Sequence, residues 1–234
     1  MAFILSIETS TKGCSTAIHQ DDKLVALNEL FHEKSSSGML TTLVQQVIKA
    51  AGLAFNDIDA IAVAKGPGSY TGLRIGVSTA KGLCFTLEKP LIAINTLEAL
   101  AWQVNSYQSV ISEASLLCPM LDARRMEVYC AMYQTGVLQQ VVPTQAKIID
   151  EAAFANELKE QKIIFFGDGA DKCRTVLGNQ PNAFFLKEPV YPSAKAIGAL
   201  AYGSLQAENF ENVAEFEPYY LKEFMTTTPK QTRL

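Results

Sequence analysis

The sequence predicts an α/β fold with mixed sheets, and three observations predict it. Strand-like runs open the chain as a hairpin, and strand, loop and helix then alternate from residue 58 to about residue 105. From Leu116 the opening pattern returns: an apolar strand ending in an acid, a polar turn, then a second strand. Hairpin strands followed by β-α-β units imply a sheet with both parallel and antiparallel neighbours.

Phe3 to Ile7 is a short apolar run that ends in the turn Glu8-Thr9-Ser10-Thr11-Lys12-Gly13, and Cys14 to His19 follows as its hairpin partner. Asp21-Asp22-Lys23 turns the chain into a third strand, Leu24 to Leu27. After Ser35-Ser36-Ser37-Gly38, apolar residues at Leu40, Leu43, Val44, Val47, Ile48 and Ala51 have the spacing of an amphipathic helix, stopped by Gly52. Ile58 to Ala64 is almost continuously apolar, as a strand covered on both faces must be. Gly66 to Gly72 is a loop, Leu73 to Leu87 a helix, Leu91 to Ile94 a strand and Thr96 to about Asn105 a helix. In the second half, strands are expected at Leu116 to Leu121, Met126 to Tyr133 and Ile163 to Phe166. Asp150 is placed to cap a helix through about Glu160, Gly167-Asp168-Gly169 turns into another helix, and Ser193 caps Ala194 to Ala207. The Thr/Pro/Lys-rich end is expected to be a mobile tail.

The 234 residues carry a net charge of −4, which argues against a stand-alone nucleic-acid binder. Charged residues make up 19% and hydrophobic ones 48%, so a large core or a partner surface has to be covered. Cys14, Cys84, Cys118, Cys130 and Cys173 are odd in number and contain no C-x-x-C pair; they read as reduced, buried thiols of a cytoplasmic protein. The first apolar run lacks a basic flank and stops at Glu8, so neither a signal peptide nor a membrane span is expected. His19 and His32 are the only histidines, and neither has a context that marks a catalytic base.

Lys65-Gly66-Pro67-Gly68-Ser69-Tyr70-Thr71-Gly72 sits directly between a strand and a helix. Glycines there suit either a phosphate cradle at a helix N-terminus or a tight strand-to-helix turn, and the spacing fits neither common nucleotide-binding fingerprint. Glu8, Thr9 and Ser10 with Gly66, Pro67, Gly68 and Ser69, and Gly167 with Gly169 across the repeat, form the candidate nucleotide-binding set. An ordinary polar hairpin turn is the alternative for Glu8 to Ser10. Asp122, Arg124, Arg125 and Glu127 form a second cluster, for which exposed ion pairs are the default. Gly72, Gly76, Ala80 and Cys84 make a small-residue stripe at i+4 spacing, which implies close packing on the chain's own sheet or on a second helix.

Three segments resemble the bacterial TsaB (YeaZ) family: Ile4-Leu5-Ser6-Ile7-Glu8-Thr9-Ser10-Thr11, Gly66-Pro67-Gly68-Ser69-Tyr70-Thr71-Gly72-Leu73-Arg74-Ile75-Gly76 and Asp122-Ala123-Arg124-Arg125-Met126-Glu127-Val128-Tyr129. The closing Glu217-Pro218-Tyr219-Tyr220-Leu221-Lys222 extends the likeness along nearly the whole chain. The resemblance implies an actin-like/sugar-kinase-like (ASKHA) fold of two RNase H-like lobes with mixed five-stranded sheets flanked by helices. It places a first lobe at residues 1–105, joined by the helix at about 193–207, a second lobe at 106–192 and a tail at 208–234.

It further implies a role in forming threonylcarbamoyladenosine beside the anticodon of tRNAs that read ANN codons, with catalysis by the paralogue TsaD. That paralogue binds its metal through a His-x-x-x-His helix, and by resemblance Thr96 and Leu100 stand at those two positions. Neither is a transition-metal ligand, so no metal site and no catalytic residue are expected in this chain. Glu8 in place of the superfamily's frequent Asp also weakens a claim to ATP hydrolysis. The expectation is a non-catalytic scaffold that holds no cofactor of its own, with ATP or ADP and metal on the partner subunits TsaD and the ATPase TsaE. It touches tRNA only indirectly, and alone it forms a homodimer. Its partner surface is expected on the two first-lobe helices, at Leu40, Leu43, Val44, Val47, Gly72, Leu73, Gly76, Ala80, Leu83 and Cys84. A stand-alone ATPase or kinase using Glu8 and the glycine loop is the alternative, and a metalloprotease lacks the ligands.

Overall fold

The computed structural model describes residues 1–31, 35–106 and 115–222. The expected N-terminal hairpin forms from β1 (Phe3–Glu8) and β2 (Cys14–Gln20), and β3 (Lys23–Leu30) adds to its outer edge. After α1 (Ser35–Ala50), β4 (Ala60–Gly66) enters beside β1 and parallel to it. Its Ala60 to Ala64 have no exposed surface, which is why this segment reads as an unbroken apolar run. The chain continues through α2 (Tyr70–Leu87), β5 (Leu91–Asn95) and α3 (Thr96–Asn105), completing a sheet of order β3-β2-β1-β4-β5.

The second sheet repeats the first. β6 (Ser115–Asp122), β7 (Glu127–Gln134) and β8 (Gln140–Ile148) form an antiparallel set, and β9 (Lys162–Phe166) and β10 (Ala183–Phe185) add in parallel, in the order β10-β9-β6-β7-β8. Each strand of one sheet thus has a counterpart at the same place in the other. This is the paired-lobe architecture of the actin-like/sugar-kinase-like fold.

Helices fill both faces of the sheets. α1 and α2 lay Leu40, Val44, Val47, Val77 and Ala80 on Leu5, Ile7, Ile18, Ile61 and Val63 of the first sheet. α6 (Ala194–Gln206) returns from the end of the chain to the opposite face, where Ala196, Ile197 and Ala201 meet Ile4, Ala60, Ala62 and Ala64. α3 lies between the sheets: Ala99 and Trp102 join the α6 side of the first, while Leu97, Leu100, Ala101 and Val104 pack on Leu117, Leu121, Ala131 and Phe166 of the second. The remaining face of the second sheet is closed by α4 (Ala155–Glu160) and α5 (Ala170–Leu177), through Leu158, Cys173 and Leu177. Among the described residues, no helix is long and apolar enough to cross a membrane.

Several expectations need correction. β8 and β10 are not anticipated, because β8 is an exposed edge strand interrupted by Pro143 and β10 has three residues. Asp150 does turn the chain, its Oδ1 accepting from Ala152 N at 3.0 Å, but the helix begins only at Ala155, after Phe154 in a left-handed conformation (φ 62°). The Thr/Pro/Lys-rich end expected to be mobile lies outside the described residues, whereas residues 208–222, the described part of the segment placed as a tail, are tied down. They run over the first lobe as a strap: Glu211 N donates to Leu91 O, Lys81 Nζ donates to the carbonyls of Ala214 and Phe216, and Tyr219 N donates to Lys65 O. His32 and residues 223–234 lie outside the described residues. All five cysteines are free and buried, as their spacing implies.

Candidate functional site

The ends of β1 and β4 meet at the turn Glu8-Thr9-Ser10 and the loop Gly66 to Gly72. The loop closes directly over the turn. Ser69 N donates to Ser10 O at 2.6 Å, and Thr9 Oγ1 donates to Gly72 O at 2.8 Å. A Cβ added to Gly68 would lie 2.3 Å from Ser10 O, and one on Gly72 would lie 2.0 Å from Thr9 O. Gly66, with φ 110° and followed by a cis bond to Pro67, is crowded from the other side by Tyr219 O. Ser69 then caps α2, its Oγ accepting from Gly72 N at 3.3 Å.

These contacts are those of a tight strand-to-helix turn. The close approaches that its glycines permit are made by the chain itself, so at Ser69 and Gly72 the N–H groups suited to an anion are already engaged. Glu8, Thr9 and Ser10 are buried, with 2%, 0% and 1% of their surface exposed. Burial pushes the Glu8 carboxyl up to about 7, against hydrogen bonds from Ser10 and Thr9 that favour the charged form. Its Oε1 accepts from Ser10 N, whereas among the described residues Oε2 and the Ser10 hydroxyl have no hydrogen-bond partner.

The second lobe builds the same junction. Gly169 N donates to Met120 O at 3.0 Å, and a Cβ on Gly167 (φ 101°) would lie 2.3 Å from that oxygen. Asp168, between them, accepts from Asp122 N at 3.1 Å. Burial raises the Asp168 carboxyl, offset by the Asp122 amide, Lys12 and Lys172. The structure therefore does not bring the candidate nucleotide residues into one open cradle. It uses Gly68, Gly72, Gly167 and Gly169 to seat each parallel strand's exit against the end of its lobe's first strand.

The residues expected at the partner surface are largely covered by the first lobe itself. Leu40, Leu43, Val44, Val47, Gly72, Leu73, Gly76, Ala80 and Cys84 are buried in the first lobe, and Leu83 is half-buried. The amphipathic spacing marks the face that covers the chain's own sheet, and the stripe exists because Gly76 passes under Thr9. The outward faces of α1 and α2 instead present Thr41, Ser78, Gly82, Thr86 and Phe85. A shallow groove runs there, lined by Thr41, Phe55, Ser78, Gly82, Leu83 and Leu87, and Phe85 beside it is 82% exposed. Among the described residues nothing lies within 4 Å of a Cβ added to Gly82, so its missing side chain leaves the groove open.

At the Asp122 cluster, the acids are held by lysines the sequence reading did not single out. Lys172 Nζ bonds Asp122 Oδ1 and donates to the carbonyls of Arg125 and Glu127, both at 2.7 Å. Lys222, the last residue of the strap, pairs with Glu127 and stands 5.9 Å from the Tyr129 ring centre. Their signal in the sequence was position: one in the first turn of α5, the other closing a motif that the family resemblance already included.

Residues 31–232 match the family described as TsaD, tRNA N6-adenosine threonylcarbamoyltransferase. The chain is 36% identical over 166 residues to the Bacillus subtilis tRNA threonylcarbamoyladenosine biosynthesis protein TsaB, covering 70% of each. It is 37% identical over 134 residues to the Escherichia coli TsaB protein, spanning 54% of that protein's length. YeaZ from Pseudomonas aeruginosa shares the fold, with a TM-score of 0.73 at 24% identity over 94% of this chain and 100% of that one. A second Pseudomonas aeruginosa structure, of a protein with similarity to peptidase YeaZ, superposes with a TM-score of 0.80 at 24% identity over 95% of this chain and 100% of that one. These likenesses establish that this chain belongs to the TsaB family of tRNA threonylcarbamoyladenosine biosynthesis proteins.

Proposed function

We propose that the chain is the non-catalytic member of a threonylcarbamoyl-transferring assembly. It pairs with the catalytic paralogue TsaD and, with the ATPase TsaE, supports modification of the adenosine beside the anticodon of ANN-reading tRNAs. One observation supports the reading: the loop from Gly66 to Gly72 lies on the turn from Glu8 to Ser10, and the Ser69 and Gly72 N–H groups that could meet a phosphate are engaged within the chain. The α3 positions that correspond by resemblance to the paralogue's metal ligands are consistent with it. Thr96 and Leu100 have no exposed surface, and Leu100 packs in the core on the second sheet. On this reading nucleotide and metal are held by the partner subunits.

The docking face is the outer side of α1 and α2, with Phe85 and the Gly82 groove at its centre. An exposed phenylalanine beside an open apolar groove is the arrangement from which interface anchors are made. A second copy of the chain occupies this face when the paralogue is absent.

Reconstitution tests the proposal. tRNA, threonine, bicarbonate and ATP are incubated with the synthase and the remaining subunits, with and without this chain. Modification is expected to depend on the chain and to survive Glu8→Gln. Equal modification without the chain, or ATP turnover by the chain alone that vanishes in Glu8→Gln, would overturn the proposal.

A further inference from the structure

The turn joining β6 and β7 presents two arginines whose neighbouring acids are already neutralised. Asp122 is paired with Lys172 and Glu127 with Lys222. Each acid has a lysine from another element although Arg124 and Arg125 are adjacent in sequence. Both arginines are exposed, and no ion pair to either side chain occurs among the described residues. The β6–β7 turn thus brings Arg124, Arg125, Lys172 and Lys222 together with Asp122 and Glu127. It is a basic locality on a chain whose net charge is −4.

The backbone holds this display in place. Arg124 and Arg125 both have left-handed φ, 68° and 50°, a region where glycine, asparagine or aspartate is usual. Arg124 N donates to Asp122 Oδ1 at 2.9 Å, Glu127 N donates to Arg124 O at 3.2 Å, and Lys172 holds Arg125 O. Two long cationic side chains therefore stand where turn chemistry favours small ones. Such a conflict between local preference and residue choice points to use.

We infer that the Arg124–Arg125 turn is a contact point for the phosphodiester backbone of RNA. Guanidinium groups bind phosphate oxygens bidentately, and a projecting turn meets a charged strand without needing to enclose it. A free nucleotide fits less well, because its base and ribose need walls, and the flanking Asp122 and Met126 are themselves exposed. The inference deepens the proposed function by giving this chain a direct contact with the tRNA, where the overall charge suggested only an indirect one.

The test titrates fluorescent tRNA with the assembled complex and with this chain alone, from low to physiological salt. The double variant Arg124→Gln/Arg125→Gln is compared with Arg124→Lys/Arg125→Lys. The expected result is a roughly tenfold or greater loss of affinity at low salt for the glutamine pair. Its slope of log K against log salt should be shallower by about 1 to 2, and the lysine pair should keep most of the slope. Unchanged affinity and slope in the glutamine pair, absence of salt-dependent RNA binding by the chain at low salt, or displacement of RNA by ADP at equal phosphate concentration would each overturn the inference. Co-purification with the paralogue, measured on the same variant, separates this outcome from failure of the proposed assembly.

Discussion

Gly76 passes so closely beneath Thr9 that a Cβ built on it would lie 2.2 Å from the threonine Oγ1. That hydroxyl is engaged by Gly72 O, one turn earlier on the same helix, so it has little freedom to move. The Gly76→Ala variant is expected to lose about 1–3 kcal/mol of stability through overpacking. Adding Thr9→Ala should restore part of the loss. Gly72→Ala should be worse and unaffected by Thr9→Ala, because its obstacle at 2.0 Å is the Thr9 carbonyl oxygen. Chemical denaturation of the four variants checks the order; equal rescue at both glycines would refute the packing account.

Two buried groups give stability opposite pH dependences. Glu8 titrates near 7 in the fold against an ordinary 4.5, because burial disfavours its charge, so its contribution is full below 4.5 and lost as pH rises through 7. His19 is lowered from 6.5 to about 4, also by burial, so its contribution is full above 6.5 and lost as pH falls through 4. Each span corresponds to about 3 kcal/mol. Relative to wild type, Glu8→Gln should gain stability between pH 4.5 and 7, and His19→Gln should gain as pH falls from 6.5 to 4. Melting curves across this range decide it, and variant profiles parallel to wild type would sink the assignment.

Phe85 is exposed on the outer face of α2, and changing it should leave the fold alone. Phe85→Glu is expected to shift stability by no more than about 0.5 kcal/mol. It should weaken association with the paralogue by about 2 kcal/mol or more, a loss of roughly thirtyfold. Calorimetric titration of the pair, together with the melting temperature of the free chain, tests both halves. An intact interaction would move the docking face elsewhere.

Asn105, at the end of α3, clasps the second lobe with two hydrogen bonds: its Oδ1 accepts from Gly136 N at 2.8 Å and its Nδ2 donates to Gly136 O at 3.0 Å. The bonds lie at the surface, so Asn105→Ala should cost about 1 kcal/mol in total. The larger effect is expected on lobe motion, seen as faster amide exchange at Thr135 and Gly136. Unchanged exchange there would show that α3 packing alone holds the lobes.

The first lobe was largely legible in the sequence because its signals are local. A continuously apolar β4, an amphipathic α1 and an acid ending each repeat's first strand are properties of short segments read one at a time. Edge strands were harder, since β8 alternates weakly and contains Pro143, and a three-residue β10 has no periodicity to detect.

What the sequence determined by itself was the duplicated α/β architecture, the buried thiols and the family, all carried by patterns along the chain. Which side of a helix the chain itself covers was decided only by the tertiary structure. Periodicity marks an apolar face without saying what covers it, and here Leu40, Val44, Gly76 and Cys84 cover the chain's own sheet while Phe85 is left outside. The glycine loop shows the same division. Its residues announce close backbone approach, but only the fold shows that the approaching atoms belong to Thr9, Ser10 and Tyr219. Close approach is a relation between segments distant in sequence, and the chain's linear order does not contain it.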